Sequence, residues 1–287
     1  MGDFRALLQS RKWQSRVFRL LLHVILIVLG ITFTVPMLWV FSTSLKTLGE
    51  VFIVPIQWLP NDPQWDNYVE IFQLLPLVRF IMNTAKVTAL GAVGTVLSSL
   101  FVSYGLSRLR WKQREAVFAL VLGTMMLPGV VTMVPLFVIF SRVGWVNTHY
   151  PLWVPSWFGG AFYIFLMRQF MLGLPYEIDE AARIDGASSL RILLQVITPM
   201  CKSAITAVAI FSFLSHYNNF MGPLLYLSDN SKFTLPLGIY VYQGRYDEYW
   251  HLVMAVSVIS VLPIFFLFWI GQRYFVQGVQ MSGIAGR

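Results

Sequence analysis

The sequence predicts an all-α integral membrane protein with six transmembrane helices, and three observations support this fold class. Of 287 residues, 57% are hydrophobic and 12% are charged, whereas about a quarter of residues are charged in a typical soluble domain. Apolar runs long enough to cross a bilayer recur along the chain. The formal net charge of +8 is concentrated at the ends of these runs, which is typical of a membrane topology signal and not of a nucleic-acid-binding groove.

The first apolar run, residues 20–41, follows a basic N-terminal segment, residues 1–19. At 1.5 Å per residue the run spans roughly 33 Å, enough to cross the hydrocarbon core. It is too long for a signal-peptide core and lacks a clear small-residue cleavage site, so we interpret it as a retained helix. The predicted order is a cytoplasmic segment (1–19), a transmembrane domain (20–275) and a cytoplasmic tail (276–287). The other five helices are predicted over residues 81–107, 116–141, 152–170, 204–227 and 252–270.

The distribution of basic residues orients these helices. Of the 21 Lys and Arg residues, five fall on the predicted outer side, one lies within a span and the others lie inside. This bias follows the positive-inside rule and predicts that both the N- and the C-terminus are cytoplasmic. The outer residues are Lys46, Arg79, Arg142, Lys232 and Arg245, and Lys86 is the residue within a span.

The largest predicted outer loop, residues 42–79, is rich in proline and aromatic residues, and residues 66–72 are predicted to form a short surface helix. Two interpretations of this loop remain open. It is either a rigid connection or a docking surface for an external substrate-binding protein.

Two of the predicted spans carry marked local patterns. Small residues recur every four positions in the second span, which predicts close packing of another helix on that face. These residues are Gly91, Thr95, Ser99 and Ser103. Pro128 and Pro135 interrupt the third span, and their missing N–H groups predict kinks.

A strongly charged segment, residues 177–200, separates the fourth and fifth predicted spans within a predicted loop over residues 171–202. Its first part predicts a helix over Glu177 to Asp185 that Gly186 ends. Asp179 and Arg183 stand four apart and are expected to support one turn, while Ala181 and Ala182 leave a face with little side-chain bulk. An ordinary charged hairpin between two spans is the alternative.

A second helix is predicted after Gly186. Either Ser188 or Ser189 is expected to cap it. Its apolar residues are predicted to share one face. They are Leu190, Leu193, Leu194 and Ile197.

The spacing of Glu180, Ala181, Ala182, Gly186 and Pro199 resembles the loop signature of the inner-membrane permease subunits of ATP-driven (ABC) importers. Two positions depart from that signature, with Val196 in place of Ile and Thr198 in place of Leu. Further stretches are similar to the carbohydrate-uptake permeases of the maltose-transporter (MalG-like) type. They are Asn83-Thr84, Tyr104 to Arg110, Met125 to Gly129, Phe165 to Phe170, Tyr217-Asn218 and Pro223-Leu224.

This resemblance implies a core of six spans with a cytoplasmic coupling helix between the fourth and the fifth. It also implies a second permease subunit of a different chain, two ATPase subunits that hold ATP and Mg, an extracytoplasmic substrate-binding protein, and a bacterial inner membrane. The residues implied to contact the ATPase are Glu180, Ala181, Ala182, Asp185 and Gly186. The tail residues implied to reach the ATPase dimer are Gln280, Met281, Ser282 and Gly283; a frayed terminus is the alternative for them.

The energy source is expected to lie outside this chain. None of the six predicted spans contains an acidic residue that could bind H⁺ or Na⁺, and the chain has no Gly-x-x-x-x-Gly-Lys-Ser/Thr phosphate loop. Paired carboxylates, a nucleophile elbow and a His-rich metal motif are also missing from the sequence. We therefore expect neither an enzyme, nor a bound cofactor, nor nucleic-acid binding, and a stand-alone channel or secondary carrier is the alternative function.

The substrate path must be polar where it crosses the bilayer, so polar residues within spans are the candidates. They are Asn83, Lys86, His216, Tyr217, Asn218 and Asn219. Each has a simpler interpretation: Asn83 bonds a neighbouring helix, Lys86 extends its amine to the interface, and the cluster in the fifth span satisfies backbone groups freed near Pro223.

Overall fold

The computed structural model describes residues 11–244 and 249–284, and all regular structure within those ranges is helical. The chain divides into two compact units, Met1–Leu74 with Tyr246–Ile259 and Leu75–Arg245 with Ser260–Arg287. The helices of the first unit are α1 (Arg11–Ser44), α2 (Leu48–Val51) and α3 (Asn67–Leu74). The second unit contains α4 (Leu77–Ser107), α5 (Arg114–Thr124), α6 (Gly129–Arg142), α7 (Tyr150–Trp153), α8 (Ala161–Leu172), α9 (Glu177–Ile184), α10 (Ser189–Arg191), α11 (Thr198–Met200), α12 (Lys202–Tyr217), α13 (Met221–Tyr226) and α14 (Leu235–Gln243). The last helix, α15 (Trp250–Ile284), contributes to both units.

Three helices of the described chain are long and apolar enough to cross a membrane by themselves: Val17–Ser44, Leu77–Ser107 and Trp250–Gln272. Two further pairs qualify if each pair is counted as one bent span. Arg114–Thr124 and Gly129–Arg142 meet at 95°, and Ser189–Met200 and Lys202–Tyr217 meet at 82°. The first bend follows from Pro128, which precedes α6 and cannot donate a backbone hydrogen bond to α5.

The helix predicted over residues 152–170 is interrupted. A 3₁₀ turn, Val154–Phe158, follows α7, and Gly159 takes a φ of +97° before α8 begins. Only glycine adopts such a dihedral angle readily, so the chain changes direction at this residue. Apolar residues alone predict a continuous helix here because most of the 3₁₀ turn is apolar, including Trp157 and Phe158.

In the first unit, the segment after α1 folds into an ordered loop around buried polar groups. Lys46 is fully buried, donates from Nζ to the carbonyl of Gln57 at 2.6 Å, and lies 4.2 Å from the centre of the Trp39 ring. Asn67 at the start of α3 donates to the carbonyls of Ser44 (2.9 Å) and Lys46 (3.0 Å). The short helix predicted over residues 66–72 is confirmed as α3, with bounds shifted by one or two residues.

In the second unit, α4 is the central helix, and α8, α12 and the 3₁₀ turn pack around it. The stripe of small residues predicted on α4 is buried, with Thr95 and Ser99 almost fully covered. Ser103 donates from its hydroxyl to the carbonyl of Ile164 on α8 at 2.9 Å. The imidazole of His216 on α12 lies directly over Gly91. The prediction of close helix packing on this face is confirmed.

Arg168 of α8 holds α4 and α5 together. Its Nε donates to the carbonyl of Leu106 at 3.0 Å, and its Nη2 donates to both carboxylate oxygens of Glu115, at 2.8 and 2.9 Å. Its guanidinium also lies 3.9 Å from the centre of the Phe118 ring. Because the arginine is only 5% exposed, these contacts take the place of water around a buried cation.

Close packing on α4 gives a first prediction. A Cβ added at Gly91 would collide with the imidazole of His216, whereas a Cβ at Gly105 on the same helix meets nothing within 4 Å. We expect Gly91→Ala to destabilise the protein by about 1–3 kcal/mol because the core is overpacked. Gly105→Ala should leave stability unchanged or raise it, since alanine favours a helix. Thermal unfolding of the two purified variants in the same detergent measures the difference, and equal melting temperatures would contradict the packing described here.

Candidate functional site

The first candidate site is built on α9, whose end is set by a glycine. Gly186 takes a φ of +78°, the N–H of Gly186 donates to the carbonyl of Arg183 at 3.0 Å, and the N–H of Ala187 donates to the carbonyl of Ala182 at 3.0 Å. This pair of bonds is the Schellman motif, which satisfies the last carbonyls of a helix. The sequence-based prediction that Gly186 ends this helix is confirmed.

A buried ion pair attaches α9 to the end of α4. Nη1 of Arg108 lies 3.4 Å from Oδ2 of Asp179, and the two side chains are 2% and 0% exposed. Nη2 of Arg108 also donates to the carbonyl of Leu174 at 3.0 Å, just before α9. The partner expected for Asp179 from the sequence was Arg183, and that expectation is wrong, because the carboxylate is directed toward α4 and away from its own helix surface.

Arg183 contacts Tyr176 instead. Its Nη1 donates to the phenol oxygen at 3.1 Å, and its guanidinium lies 5.7 Å from the centre of the ring. This hydrogen bond raises the pKa of Arg183 above its usual value. Arg110 lies 4.7 Å from the centre of the same ring. Two cations therefore flank Tyr176 and orient the start of α9.

One face of α9 is exposed to solvent, and it is called the exposed face of α9 below. Glu180, Ala181 and Asp185 are exposed, and the side chain of Ile184 is 86% exposed. Ala182 differs from its neighbour because it is half-buried against the main apolar cluster of the unit. The bare face expected from two adjacent alanines is thus divided, with Ala181 on the outer surface and Ala182 toward the core.

The segment after Gly186 enters the core. Ser188 caps α10 by accepting a hydrogen bond from the N–H of Arg191 at 3.4 Å. A π-helix, Ile192–Ile197, follows, and its extra residue changes which side chains face inward. Ile192, Leu193 and Ile197 are buried, whereas Leu190 and Leu194 are about half exposed. The predicted apolar face was therefore wrong in two of its four members.

The main apolar cluster joins this segment to the spans. Its buried members come from α4, α8, the π-helix and α12. They are Leu100, Tyr104, Met167, Met171, Ile192, Leu193, Ile197, Cys201, Ala204 and Val208. Ala182 packs against this cluster and so connects α9 to these helices.

The second candidate site is the polar cluster in and after α12. His216 contacts Ser156 (Nε2 to Oγ, 2.8 Å) and the carbonyl of Ser212 (Nδ1 to O, 2.8 Å), so both ring nitrogens have partners. The hydroxyl of Tyr217 donates to the carbonyl of Ser260 at 2.7 Å.

The amides of this second site differ in their surroundings. Oδ1 of Asn219 accepts from the N–H of Gly222 at 3.1 Å, close to Pro223. Asn218 lies beside it with an exposed side chain.

Asn83 lies apart from that cluster. Its amide nitrogen donates to the carbonyls of Ser231 (3.0 Å) and Phe233 (2.9 Å), which ties α4 to the segment after α13. The structure thus brings His216 onto α4 at Gly91 but places Asn83 two turns away from that contact. Ser156 was not singled out from the sequence, because a serine in an apolar stretch has no signal of its own.

The tail residues Gln280, Met281, Ser282 and Gly283 belong to the helical backbone of α15, and their side chains lie outside the described part of the chain. Within residues 11–244 and 249–284, no three His, Cys, Asp or Glu side chains are placed to hold a metal ion.

Apolar helices long enough to cross a bilayer, with a charged helix held beside the central one by a buried ion pair, agree with a membrane permease. The family described as "Binding-protein-dependent transport system inner membrane component" matches residues 94–281, more than half of the chain, and this chain belongs to that family.

Relatives match over most of their own length. The chain is 31% identical over 252 residues to the sulfoquinovosyl glycerol transport system permease protein SmoH of Agrobacterium fabrum, which covers 88% of both chains. It is 33% identical over 246 residues to the arabinooligosaccharides transport system permease protein AraQ of Halalkalibacterium halodurans, covering 85% of this chain and 86% of that protein. It is 30% identical over 273 residues to the trehalose/maltose transport system permease protein MalG of Thermococcus litoralis, covering 93% and 97%.

The fold is also found in a solved structure. A chain of a bacterial ABC transporter involved in the import of the acidic polysaccharide alginate superposes with a TM-score of 0.78 at 24% identity, covering 93% of this chain and 98% of that chain. At this identity the likeness establishes the fold, which is that of an ABC permease.

The buried ion pair gives a second prediction. Asp179→Asn leaves the Arg108 guanidinium buried without a counter-charge, so we expect a loss of about 3–5 kcal/mol in the free energy of unfolding. Replacing both residues, Arg108→Met with Asp179→Leu, should recover most of that loss. Hydrogen exchange of residues 176–187 and thermal unfolding in detergent measure the effect. Asp185→Asn, at an exposed position beside the same helix, is the matched control, and an equal loss in both single variants would refute the role of the pair.

Proposed function

We propose that this chain is the transmembrane permease subunit of an ATP-driven, binding-protein-dependent importer of mono- or oligosaccharides. The named relatives transport sulfoquinovosyl glycerol, arabinooligosaccharides and trehalose or maltose. The observation that carries the proposal is the geometry of α9. Its buried face is anchored through Asp179, and its exposed face presents Glu180, Ala181 and Ile184.

The proposed topology has six spans with both termini in the cytoplasm and α9 as the coupling helix between the fourth and fifth spans. Residues 150–172 form the fourth crossing as an interrupted element, because α7, the 3₁₀ turn and α8 together supply the length that no single helix supplies. The bacterial inner membrane is the proposed location, in keeping with the description of the family.

The proposed partners are a second permease subunit of a different chain, two ATPase subunits and an extracytoplasmic substrate-binding protein. ATP and Mg are held by the ATPases. The family supports a binding-protein-dependent system, and a second solved structure with this fold is of a transporter in complex with an alginate pentasaccharide-bound periplasmic protein, at a TM-score of 0.62 and 16% identity.

In this mechanism, closure of the ATPase dimer displaces α9, and the displacement reaches the spans through rigid contacts. The Arg108–Asp179 ion pair passes the movement to the end of α4. The π-helix and the apolar cluster pass it to α8 and α12. Helices packed in this way move as bodies, so the cavity opens alternately to the two sides of the membrane. The contacts proposed for the ATPase are Glu180, Ala181, Ala182, Asp185 and Gly186, with Gln280, Met281, Ser282 and Gly283 of the tail as a second contact.

The polar cluster after α12 is proposed to line the substrate path. Asn218 is exposed and Asn219 is half-buried, so their amides are the best placed to exchange hydrogen bonds with sugar hydroxyls. His216 and Tyr217 already have protein partners, and we propose that they position the cluster. We also propose Asn83 as a residue of the path, although its amide nitrogen already donates to the carbonyls of Ser231 and Phe233, as the simpler interpretation expects.

Docking of α9 on an ATPase gives a third prediction. Ala181→Cys should crosslink to the ATPase subunit in native membranes, because residue 181 lies on the exposed face of α9. The natural thiol, Cys201, is fully buried and should not react. Mass spectrometry of the crosslinked product identifies the partner. Uptake at the normal rate with no crosslink from position 181 or from Glu180→Cys would refute the docking.

The helix end gives a fourth prediction. Gly186 requires a left-handed dihedral angle, which costs a side-chain-bearing residue about 1–2 kcal/mol, and a β-branched residue more. We expect Gly186→Val to lower saccharide uptake at least tenfold while ATP hydrolysis by the complex continues, since the coupling helix loses its orientation. Gly186→Asn, which tolerates this angle, is the matched control. Uptake and hydrolysis are measured in the same proteoliposomes, and normal uptake in Gly186→Val would contradict the proposed coupling.

A further inference from the structure

A cavity of about 590 Å³ lies in the second unit, apart from the polar cluster of α12. Its volume falls within the range of about 300–1,000 Å³ that is usual for small-molecule sites. Its charged lining is cationic. The lining residues are Lys86, Thr148, His149, Tyr150, Trp153 and Lys232.

The walls of this cavity are fixed to one another by hydrogen bonds. Nε2 of His149 lies 2.8 Å from the carbonyl of Lys232, to which it donates, and Nζ of Lys232 donates to the carbonyl of Asn147 at 2.9 Å. Asn83, almost one turn before Lys86 on α4, binds the carbonyls on both sides of Lys232. A site whose walls are already held together loses little conformational entropy when a ligand binds.

The charges of the two lysines are not equally compensated. Nζ of Lys232 lies 3.8 Å from Oδ2 of Asp229, which is outside the lining. A hydrogen bond from the backbone N–H of Ser231 lowers the pKa of Asp229, a carboxylate that is ionised at neutral pH even with its ordinary pKa. Among the described residues no carboxylate forms an ion pair with Lys86. A lysine within an apolar helix is rare and is therefore a candidate for a functional position.

The cavity lies at the end of α4 opposite to α9. Lys86 precedes Arg108 by 22 residues, which corresponds to roughly 33 Å along a helix. This distance is close to the thickness of the hydrocarbon core. If α9 lies on the ATPase side, the cavity opens on the other side, where an imported solute arrives.

We propose that this cavity binds an anionic saccharide, one that carries a carboxylate, sulfonate or phosphate group, at the extracytoplasmic end of the transport path. This inference rests on the proposed function as a saccharide importer. The ammonium groups of Lys86 and Lys232 hold the anion through charge-assisted hydrogen bonds. The rings of Tyr150 and Trp153, with centroids 5.9 Å apart and planes tilted by 56°, offer apolar faces to the C–H groups of the sugar. A cationic cleft also raises the local concentration of an anionic solute.

The test uses the assembled importer in proteoliposomes with its own binding protein. Uptake is compared for three matched pairs of saccharides, each with one anionic and one neutral member. Digalacturonate is compared with galactobiose, 6-deoxy-6-sulfoglucosyl glycerol with glucosyl glycerol, and trehalose 6-phosphate with trehalose. We expect an anionic member to be the transported substrate and Lys86→Gln to raise its KM about tenfold, with less than a twofold change in the KM of any neutral member that is also taken up. Lys86→Arg should keep most of the activity. Arg142→Gln, which removes an exposed charge outside the cavity, should leave the KM unchanged.

A second measurement does not depend on uptake by a variant. In the wild-type complex, acetylation of the Lys86 amine is followed by mass spectrometry. The anionic saccharide should slow this acetylation at least threefold, and the neutral analogue should not slow it. The rate of acetylation of the exposed Lys112 should stay the same with either saccharide. Uptake of neutral saccharides only, or equal acetylation of Lys86 with and without the anionic saccharide, would overturn this inference and leave the importer proposal intact. A complex that takes up no saccharide would overturn the proposed function itself.

Discussion

The ion pair between Arg108 and Asp179 fixes the position of α9 relative to the central span. Both side chains are almost fully buried, so each has lost its hydration, and the opposite charge offsets that cost together with the hydrogen bond from Arg108 to the carbonyl of Leu174. Neither carboxylate oxygen of Asp179 has a hydrogen-bond partner among the described residues, which makes the arginine the main compensation for its charge. Separating the two groups weakens this attraction while both charges stay buried, which is costly. The helix is therefore held in one place relative to the central span.

The end of this helix was predictable from local sequence, but its attachment was not. A glycine after a run of helix-forming residues specifies a left-handed residue, and Gly186 has that conformation. Asp179 and Arg183 follow the spacing of a surface pair equally well, yet the carboxylate pairs with Arg108, 71 positions earlier in the chain. Such a contact depends on which residues of distant helices meet, and no local pattern contains that information.

Contacts between distant parts of the chain also explain the other differences between the sequence-based predictions and the structure. Apolar runs predicted α1 and α4 well, and the stripe from Gly91 to Ser103 correctly predicted a packed face. The helix predicted over residues 204–227 was wrong in its second part, because α12 ends at Tyr217 and a separate helix, α13, follows. These patterns did not predict that an imidazole would lie on Gly91, nor that Gly159 would interrupt the fourth crossing. The π-helix shifted the buried positions to Ile192 and away from Leu190 because one extra residue per turn changes the angular spacing. Insertions of this kind are set by tertiary contacts.

Arg168 of α8 connects three helices of the second unit. Arg168 binds the carbonyl of Leu106 and the carboxylate of Glu115, and Leu106 is two residues from Arg108, which anchors α9. The end of the central span is thus held from two directions, by α8 and by α9. Since α4, α5 and α8 are joined at this point, a displacement of any one of these helices is shared by the other two.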